Sequence, residues 1–281
     1  MSNILVLANE TIGGEKLLDA VRARHAKGDA RFYVVVPMTK PRHGNVIYDE
    51  ARRDGAQVRV DLALAFMREE GIEGSGEVGD EDPFNAAMDA IAEHDIDEII
   101  LSTLPATSSG WLRRDLLERL ESASGLPVEH VVVDLAAEGL PFDVTLVLAN
   151  RTVAGSNLVE RLQQLDRESP RRFIVVVPQN SGDGAAVAAA RQRLGRLLDS
   201  LKADGIVAAG MIGDPDPFTA VMNAVQLFHI SEIVISTLPR ETSKWLADKL
   251  PERVEKATLK PVEHVERRPE DADTATAASA A

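Results

Sequence analysis

Two stretches of the chain combine small hydroxyl side chains with a tryptophan at the same spacing. One runs Ser102-Thr103-Leu104-Pro105 and continues to Ser109-Gly110-Trp111, and the other runs Ser236-Thr237-Leu238-Pro239 and continues to Ser243-Lys244-Trp245. Each follows a short apolar run, so the pattern predicts a buried strand, a turn and a helix that begins near the second serine. The first backbone N–H groups of a helix are unpaired, and such a place beside a strand end is suited to binding an anion.

The elements that would position these residues occur twice. Asn9 ends one apolar run and Asn150 ends its counterpart, and the next apolar run stops at Pro37 or at Pro178. The separation is the same in both copies (37 − 9 = 178 − 150 = 28). Each copy alternates apolar runs with helical patterns through five strands, which predicts a parallel sheet with helices on both faces. Because crossovers between parallel strands are right-handed, we predict two tandem doubly wound five-stranded α/β domains.

We predict a first domain over residues 1–137, a second over 138–266, and a disordered tail over 267–281, which has almost nothing to bury. A short linker is expected around Ala136 to Gly139. The glycine-rich stretch 71–79 lies before strand three or within it and does not follow a strand into a helix, so it is interpreted as a loop.

Ligands of doubly wound sheets bind at the carboxyl ends of strands where the strand order reverses. If strands one and four are neighbours, polar and small residues of both strand ends converge there, while the end of strand two offers a wall for a planar base. The predicted ligand-binding residues are Asn9, Thr11, Gly14, Val36, Pro37, Ser102, Thr103, Ser109, Gly110 and Arg113 in the first repeat, and Asn150, Thr152, Gly155, Val177, Pro178, Ser236, Thr237 and Ser243 in the second.

Arg113 and Arg114 add positive charge to the first repeat, where the second has Ala247 and Asp248. If only one repeat binds an anionic ligand, this difference favours the first.

Structural roles compete with binding at each of these positions. Ser109 and Ser243 are suited to be N-caps, and Asp82 and Asp216, each followed by proline, fit the same role. The two tryptophans are expected to pack helix four against the sheet. His130 and His264, in the fifth strand of each copy, are interpreted as structural or interfacial.

Composition excludes several classes of function. A net charge of −14 disfavours nucleic acid and anionic membranes as partners, and the absence of cysteine rules out disulfides and thiolate chemistry. No apolar run is long enough to span a bilayer and no signal peptide is evident, so we expect a cytoplasmic protein. Hydrolase and P-loop motifs are missing, so we expect no catalysis beyond weak nucleotide hydrolysis, and no metal other than Mg²⁺ bound with a nucleotide.

The tandem duplication and the repeated strand ends resemble the universal stress protein family over nearly the whole chain up to Glu266. The resemblance implies a Rossmann-like α/β sandwich of the HUP type that binds ATP or AMP, with backbone contacts to adenine at Val36 and Val177. Asn9 and Asn150 stand where the family usually has aspartate. The family's Gly-x2-Gly-x9-Gly-[Ser/Thr] pattern is missing from both copies, and Ser-x-Trp in its place is similar to the universal-stress-like domain of some sensor histidine kinases.

These observations leave three hypotheses. The first is a universal stress-like regulatory protein that binds an adenine nucleotide in one or both repeats. The second is a tandem pseudo-dimer that binds no ligand and acts as a protein-interaction module, and the third is a slow nucleotide hydrolase. The two repeats are expected to pair through the edge strands that begin at Pro127 and Pro261, and a homodimer is a further possibility.

Overall fold

The computed structural model describes residues 2–38, 49–111, 115–150, 156–180 and 184–268, without the side chains of residues 49 and 50. The elements of the first repeat are β1 (Ser2–Leu7), α1 (Glu15–His25), β2 (Ala30–Pro37), α2 (Asp49–Glu69), β3 (Gly74–Gly79), α3 (Pro83–Glu93), β4 (Glu98–Thr103), α4 (Leu116–Ser124), β5 (Val128–Val132) and α5 (Leu135–Glu138). Those of the second repeat are β6 (Asp143–Leu148), α6 (Ser156–Glu168), β7 (Arg171–Pro178), α7 (Gly184–Ala203), β8 (Ala208–Gly213), α8 (Pro217–Leu227), β9 (Glu232–Thr237), α9 (Lys244–Ala247), α10 (Leu250–Thr258) and β10 (Val262–Glu266).

Each repeat forms its own five-stranded sheet, and all strand pairs in both sheets are parallel. The strand order is β3-β2-β1-β4-β5 in one sheet and β8-β7-β6-β9-β10 in the other. The order therefore reverses between β1 and β4, and again between β6 and β9. This confirms the predicted fold class of two doubly wound α/β units.

The central strands are buried because helices cover both faces of each sheet. In β1, residues 4–7 are at most 2% exposed, which is typical of a central strand in a parallel sheet. One face of the first sheet packs against α3 and α4 around Ala87 and Leu120, and one face of the second packs against α6 and α7 around Leu162 and Leu197. These aliphatic layers fix the positions of the strand ends above them.

Contacts divide the chain into one unit of residues 1–40 and 55–141 and another of residues 41–54 and 142–281. The boundary predicted after residue 137 falls within α5. The ordered chain continues past Glu266, since the Arg267 N–H donates to the Thr237 carbonyl over 2.9 Å. Residues 269–281 of the predicted tail lie outside the described residues.

The glycine-rich stretch predicted to be a loop contains the edge strand β3. It pairs with β2 in register from Phe32↔Gly74 to Pro37↔Gly79. A Cβ at Gly76 would lie 2.6 Å from the Val34 carbonyl oxygen, so the strand approaches its neighbour more closely than a side chain allows. Glycine permits close pairing of β3 with β2 here, and interpreting the glycines as turn residues overlooks this role.

The sequence predicted that helix four begins near Ser109; residues 112–114 lie outside the described residues, and α4 is assigned only after them. It begins at Leu116, directly after Asp115, whose φ of 50° places it in the left-handed region. In the second repeat Ser243 caps only the four-residue helix α9, and α10 begins after Lys249, whose φ is 51°. A residue with a left-handed backbone directly precedes α4 in the first repeat and α10 in the second.

The predicted aspartate caps are confirmed. Asp82 accepts hydrogen bonds from the Phe84 and Asn85 N–H groups at 2.8 and 3.4 Å. Asp216 accepts from the N–H and the hydroxyl of Thr219 at 2.9 and 2.7 Å. Within the described residues, no helix is long and apolar enough to cross a membrane.

We expect Asp216→Ala to lower the free energy of unfolding by about 1 kcal/mol, because the first turn of α8 loses its capping acceptor. Urea denaturation measures the change. Asp199→Ala, on the exposed surface of α7, is the matched control and should cost less. Equal losses for the two variants would contradict the capping role.

Candidate functional site

The ends of β1 and β4 meet as predicted, through two buried hydroxyls. Ser102 Oγ donates to Thr11 Oγ1 over 2.9 Å, and Thr11 Oγ1 lies 3.4 Å from the Ser102 carbonyl oxygen, to which it donates. Thr11 is 2% exposed and Ser102 1%. The pair joins the loop after β1 to the end of β4, and its hydroxyls are already bonded to each other.

Several other predicted binding residues of the first repeat are covered by neighbouring parts of the protein. A Cβ at Gly14 would lie 2.4 Å from Val133 Cγ1, so the space beside this glycine is occupied by a buried valine. Asn9, Val36 and Pro37 are buried as well. Gly14 is therefore needed for the packing of α1 against the segment after β5, and its proposed contact with a ligand stays a prediction.

The turn after β4 in the first repeat has mixed exposure. Thr103 and Ser109 are buried, whereas Gly110 is exposed. Arg113 and Arg114, which led us to favour this repeat for an anion, lie outside the described residues.

In the second repeat the carboxyl ends of β6, β7 and β9 surround a cleft of about 570 Å³. Its lining consists of Asn150, Pro178, Gln179, Asn180, Pro215, Ser236, Thr237, Leu238, Thr242, Ser243, Lys244 and Trp245. Of the predicted residues, the cleft brings together Asn150, Pro178, Ser236, Thr237 and Ser243. Val177 is fully buried beneath it, and Thr152 and Gly155 lie outside the described residues.

Two acceptor atoms in this lining have unmet hydrogen-bonding capacity. Asn150 Nδ2 donates to Asn180 Oδ1 over 3.3 Å, but Asn150 Oδ1 is buried and has no partner within the described part of the chain. Gln179 Oε1 is in the same condition. A buried acceptor without a donor is destabilising by about 1–3 kcal/mol, so both oxygens favour a ligand that brings N–H or O–H groups.

The cleft also has a cation and an apolar wall. Lys244 is exposed beside Ser243, whose hydroxyl accepts from the Leu246 N–H at 3.3 Å and so acts as the predicted cap. Trp245 lines the cleft together with Leu238, whereas its counterpart Trp111 packs against the core of the first repeat. The packing expected of the tryptophans is seen at Trp111 in the first repeat.

Sequence reasoning missed Gln179 and Lys244. Their counterparts in the first repeat are Met38 and Gly110, so a search for chemistry shared by the two copies passes over both positions. Attention to where the copies differ would have found them.

A threonine and a histidine form the same hydrogen bond in both repeats. Thr103 Oγ1 lies 2.8 Å from His130 Nε2, and Thr237 Oγ1 lies 2.7 Å from His264 Nε2. Thr237 donates its proton to the Leu238 carbonyl, so the imidazole is the donor in the second pair. Burial lowers the pKa of both histidines below the ordinary 6.5, which keeps the imidazoles neutral. They tie the fifth strand to the fourth, in keeping with the predicted structural role.

Two solved structures match this chain over nearly the whole length of both chains. Over 95% of this chain and 97% of the other, the chain matches a universal stress protein from Archaeoglobus fulgidus DSM 4304, with 16% identity and a TM-score of 0.36. The chain is similar to a universal stress protein. It also matches a functionally unknown protein from Pseudomonas aeruginosa PAO1 over 100% of this chain and 98% of that one, with 18% identity and a TM-score of 0.31.

The universal stress proteins are the family that the sequence resembles. No family model and no curated protein matches the chain. At these identities and TM-scores the likenesses assign neither a ligand nor an activity, and the fold rests on the two sheets themselves.

We expect Gly14→Ala to destabilise the first repeat by about 1–3 kcal/mol, because the added methyl group overlaps Val133. The combination with Val133→Ala should cost less than the sum of the single changes, since the shortened side chain makes room. Urea denaturation of the three variants gives the coupling energy. Strict additivity would contradict the packing role of Gly14.

The lowered histidine pKa values predict acid sensitivity with a definite sign. Between the folded and unfolded pKa values, the histidines of the unfolded chain bind more protons than those of the folded chain. The folded state therefore has its full stability above the ordinary pKa of 6.5 and loses part of it as the pH falls below that value. We expect His130→Gln/His264→Gln to lose less unfolding free energy than the wild type between about pH 7.5 and about pH 5.5. Identical pH slopes in the variant and the wild type would refute the effect.

Proposed function

We propose that the second repeat binds an adenine nucleotide in the cleft at the ends of β6 and β9, and that the protein is a nucleotide-responsive regulatory protein of the universal stress type. The observation that carries the proposal is the pair of buried oxygens, Asn150 Oδ1 and Gln179 Oε1, beside the cation of Lys244. Adenine and ribose supply N–H and O–H donors, and phosphate supplies the negative charge. These are the chemical groups that the cleft favours.

The size and the lining of the cleft support a nucleotide. Its volume of about 570 Å³ lies within the range of roughly 300–1,000 Å³ usual for small-molecule sites. Pro178, Leu238 and Trp245 present apolar surface for a planar base. The hydroxyls of Ser236 and Thr242 add polar groups that can orient sugar and phosphate.

The second repeat is favoured over the first, contrary to our expectation from the two arginines. At the positions of Gln179 and Lys244 the first repeat has Met38 and Gly110, which offer neither an amide oxygen nor a charge. This difference gives the second copy an additional amide oxygen and a lysine at these two positions, which supports it as the binding copy.

Binding without rapid turnover is the activity that this lining supports. Among the described residues of the cleft there is no carboxylate and no imidazole to act as a general base. His264 lies behind Thr237 and has its Nε2 engaged by that hydroxyl. A nucleotide bound in this cleft would act as a regulatory ligand and would not be consumed as a substrate.

Isothermal titration with ATP and with AMP tests the proposal. We expect the wild type to bind, and Lys244→Ala to weaken the affinity for ATP about tenfold or more, because a charge-assisted contact to phosphate is lost. Lys256→Ala, which removes an exposed lysine from α10, is the matched control and should bind as the wild type does. Absence of binding at millimolar nucleotide, or equal affinity in Lys244→Ala, would refute a nucleotide site at this cleft.

A further inference from the structure

An imidazole and two carboxylates converge at one edge of the first sheet, away from the strand ends discussed above. Glu77 lies on β3, Glu93 is the last residue of α3 and His94 is its C-cap. One ligand atom from each of the three lies within 4.8 Å of the others. Nitrogen and carboxylate oxygen in this combination are ligands of divalent transition metals.

The histidine of this cluster is held in place but incompletely bonded. The Tyr33 ring packs against the His94 ring with centroids 3.9 Å apart and an interplanar angle of 44°. His94 Nε2 is buried and has no hydrogen-bond partner in the described chain. Burial and the nearby Glu77 carboxylate raise the pKa of Tyr33 to about 12, so the tyrosine hydroxyl also lies close to Glu77. One tyrosine therefore orients two of the three side chains, as residues around a metal site commonly do.

The second repeat shows what the fold itself requires at these positions. The counterparts of Tyr33, Glu77, Glu93 and His94 are Ile174, Met211, Leu227 and Phe228. All four are apolar, although they occupy the same places on β7, on β8 and at the end of α8. The fold can therefore form with apolar side chains at these four positions. The polar residues at the same positions of the first repeat point to a role other than folding.

We propose that Glu77, Glu93 and His94 form a binding site for a divalent transition metal ion such as Zn²⁺, which is independent of the cleft in the second repeat. Three protein ligands leave a fourth position of a tetrahedral ion for water or a small anion. A nitrogen ligand favours zinc-like ions over Mg²⁺ and Ca²⁺, which prefer oxygen.

Only small movements are needed to close the site. Ligand atoms of tetrahedral Zn²⁺ lie about 2.0–2.2 Å from the ion, so side chains within 4.8 Å of one another have to shift by less than about 1 Å. Glu93 is exposed at the end of its helix and is free to adjust, whereas Glu77 and His94 are half-buried. Glu77 and His94, the two half-buried residues, fix the position of the ion, and the exposed carboxylate of Glu93 completes the coordination.

The sequence did not indicate this metal site, because its three residues do not form a short metal-binding motif. Glu77 and Glu93 are far apart along the chain and reach each other only through the packing of α3 on the sheet. The comparison of the two repeats is the one sequence-level clue, since the four positions change from polar to apolar together.

Zinc titration of the full chain by calorimetry, together with the absorption spectrum of Co²⁺ as a coordination probe, tests the proposal. We expect the wild type to bind one Zn²⁺ and to gain thermal stability from it. His94→Phe takes the residue of the second repeat and should abolish binding. Tyr33→Phe keeps the ring but removes the hydroxyl, and should weaken the affinity about tenfold or more.

Glu93→Gln, an exposed and nearly isosteric change, provides a variant that is expected to fold even if His94→Phe does not, and it should also lose most of the affinity. His25→Gln, which removes an exposed histidine of the same unit, should bind zinc as the wild type does. Zinc affinity unchanged by both His94→Phe and Glu93→Gln, no zinc bound by the wild type, or a preference for Mg²⁺ would overturn the assignment.

Discussion

Pairing of the first strand with the fourth determines where each repeat can present chemical groups. The parallel strands are buried on both faces, so polar side chains are accommodated mainly beyond their carboxyl ends. The strand order reverses between β6 and β9, so the connections that follow these two strands lead away in opposite directions. This leaves a crevice for a ligand at the carboxyl ends of both strands. In the first repeat the same reversal brings Thr11 and Ser102 together, and their buried hydroxyls bond to each other.

Duplication gave the chain two copies of one scaffold, and the copies now differ at positions where chemistry is possible. The second repeat has Gln179 and Lys244 at its strand-end cleft, where the first has methionine and glycine. The first repeat has Glu77 and His94 at its sheet edge, where the second has only apolar residues. The features that both copies share, such as the aspartate caps and the threonine–histidine bonds, serve the fold. Function is better sought in the features that they do not share.

The fold could be predicted because it depends on patterns that are local and repeated. Apolar runs that end at Pro37 and Pro178 mark buried strands, and Asp216 before a proline marks a helix start. The start of α4 could not be predicted, because it depends on a left-handed backbone at Asp115 that the residue type does not announce.

The candidate sites could be predicted only in part, for the same physical reason. Asn150 comes shortly after β6 and Ser236 lies at the end of β9, so local sequence is enough to bring both to the cleft, but the space beside Gly14 is taken by Val133, a residue far away in sequence. Contacts of that kind arise from tertiary packing, which a single sequence does not display.

We propose above all that the cleft of the second repeat holds a nucleotide. Photocrosslinking with an azido-adenine analogue of ATP, followed by mass-spectrometric mapping of the labelled peptide, tests it most directly. The account predicts labelling of the segments that contain Gln179 or Trp245, and competition by unmodified ATP. Labelling that falls outside the cleft, or that ATP does not displace, would contradict it.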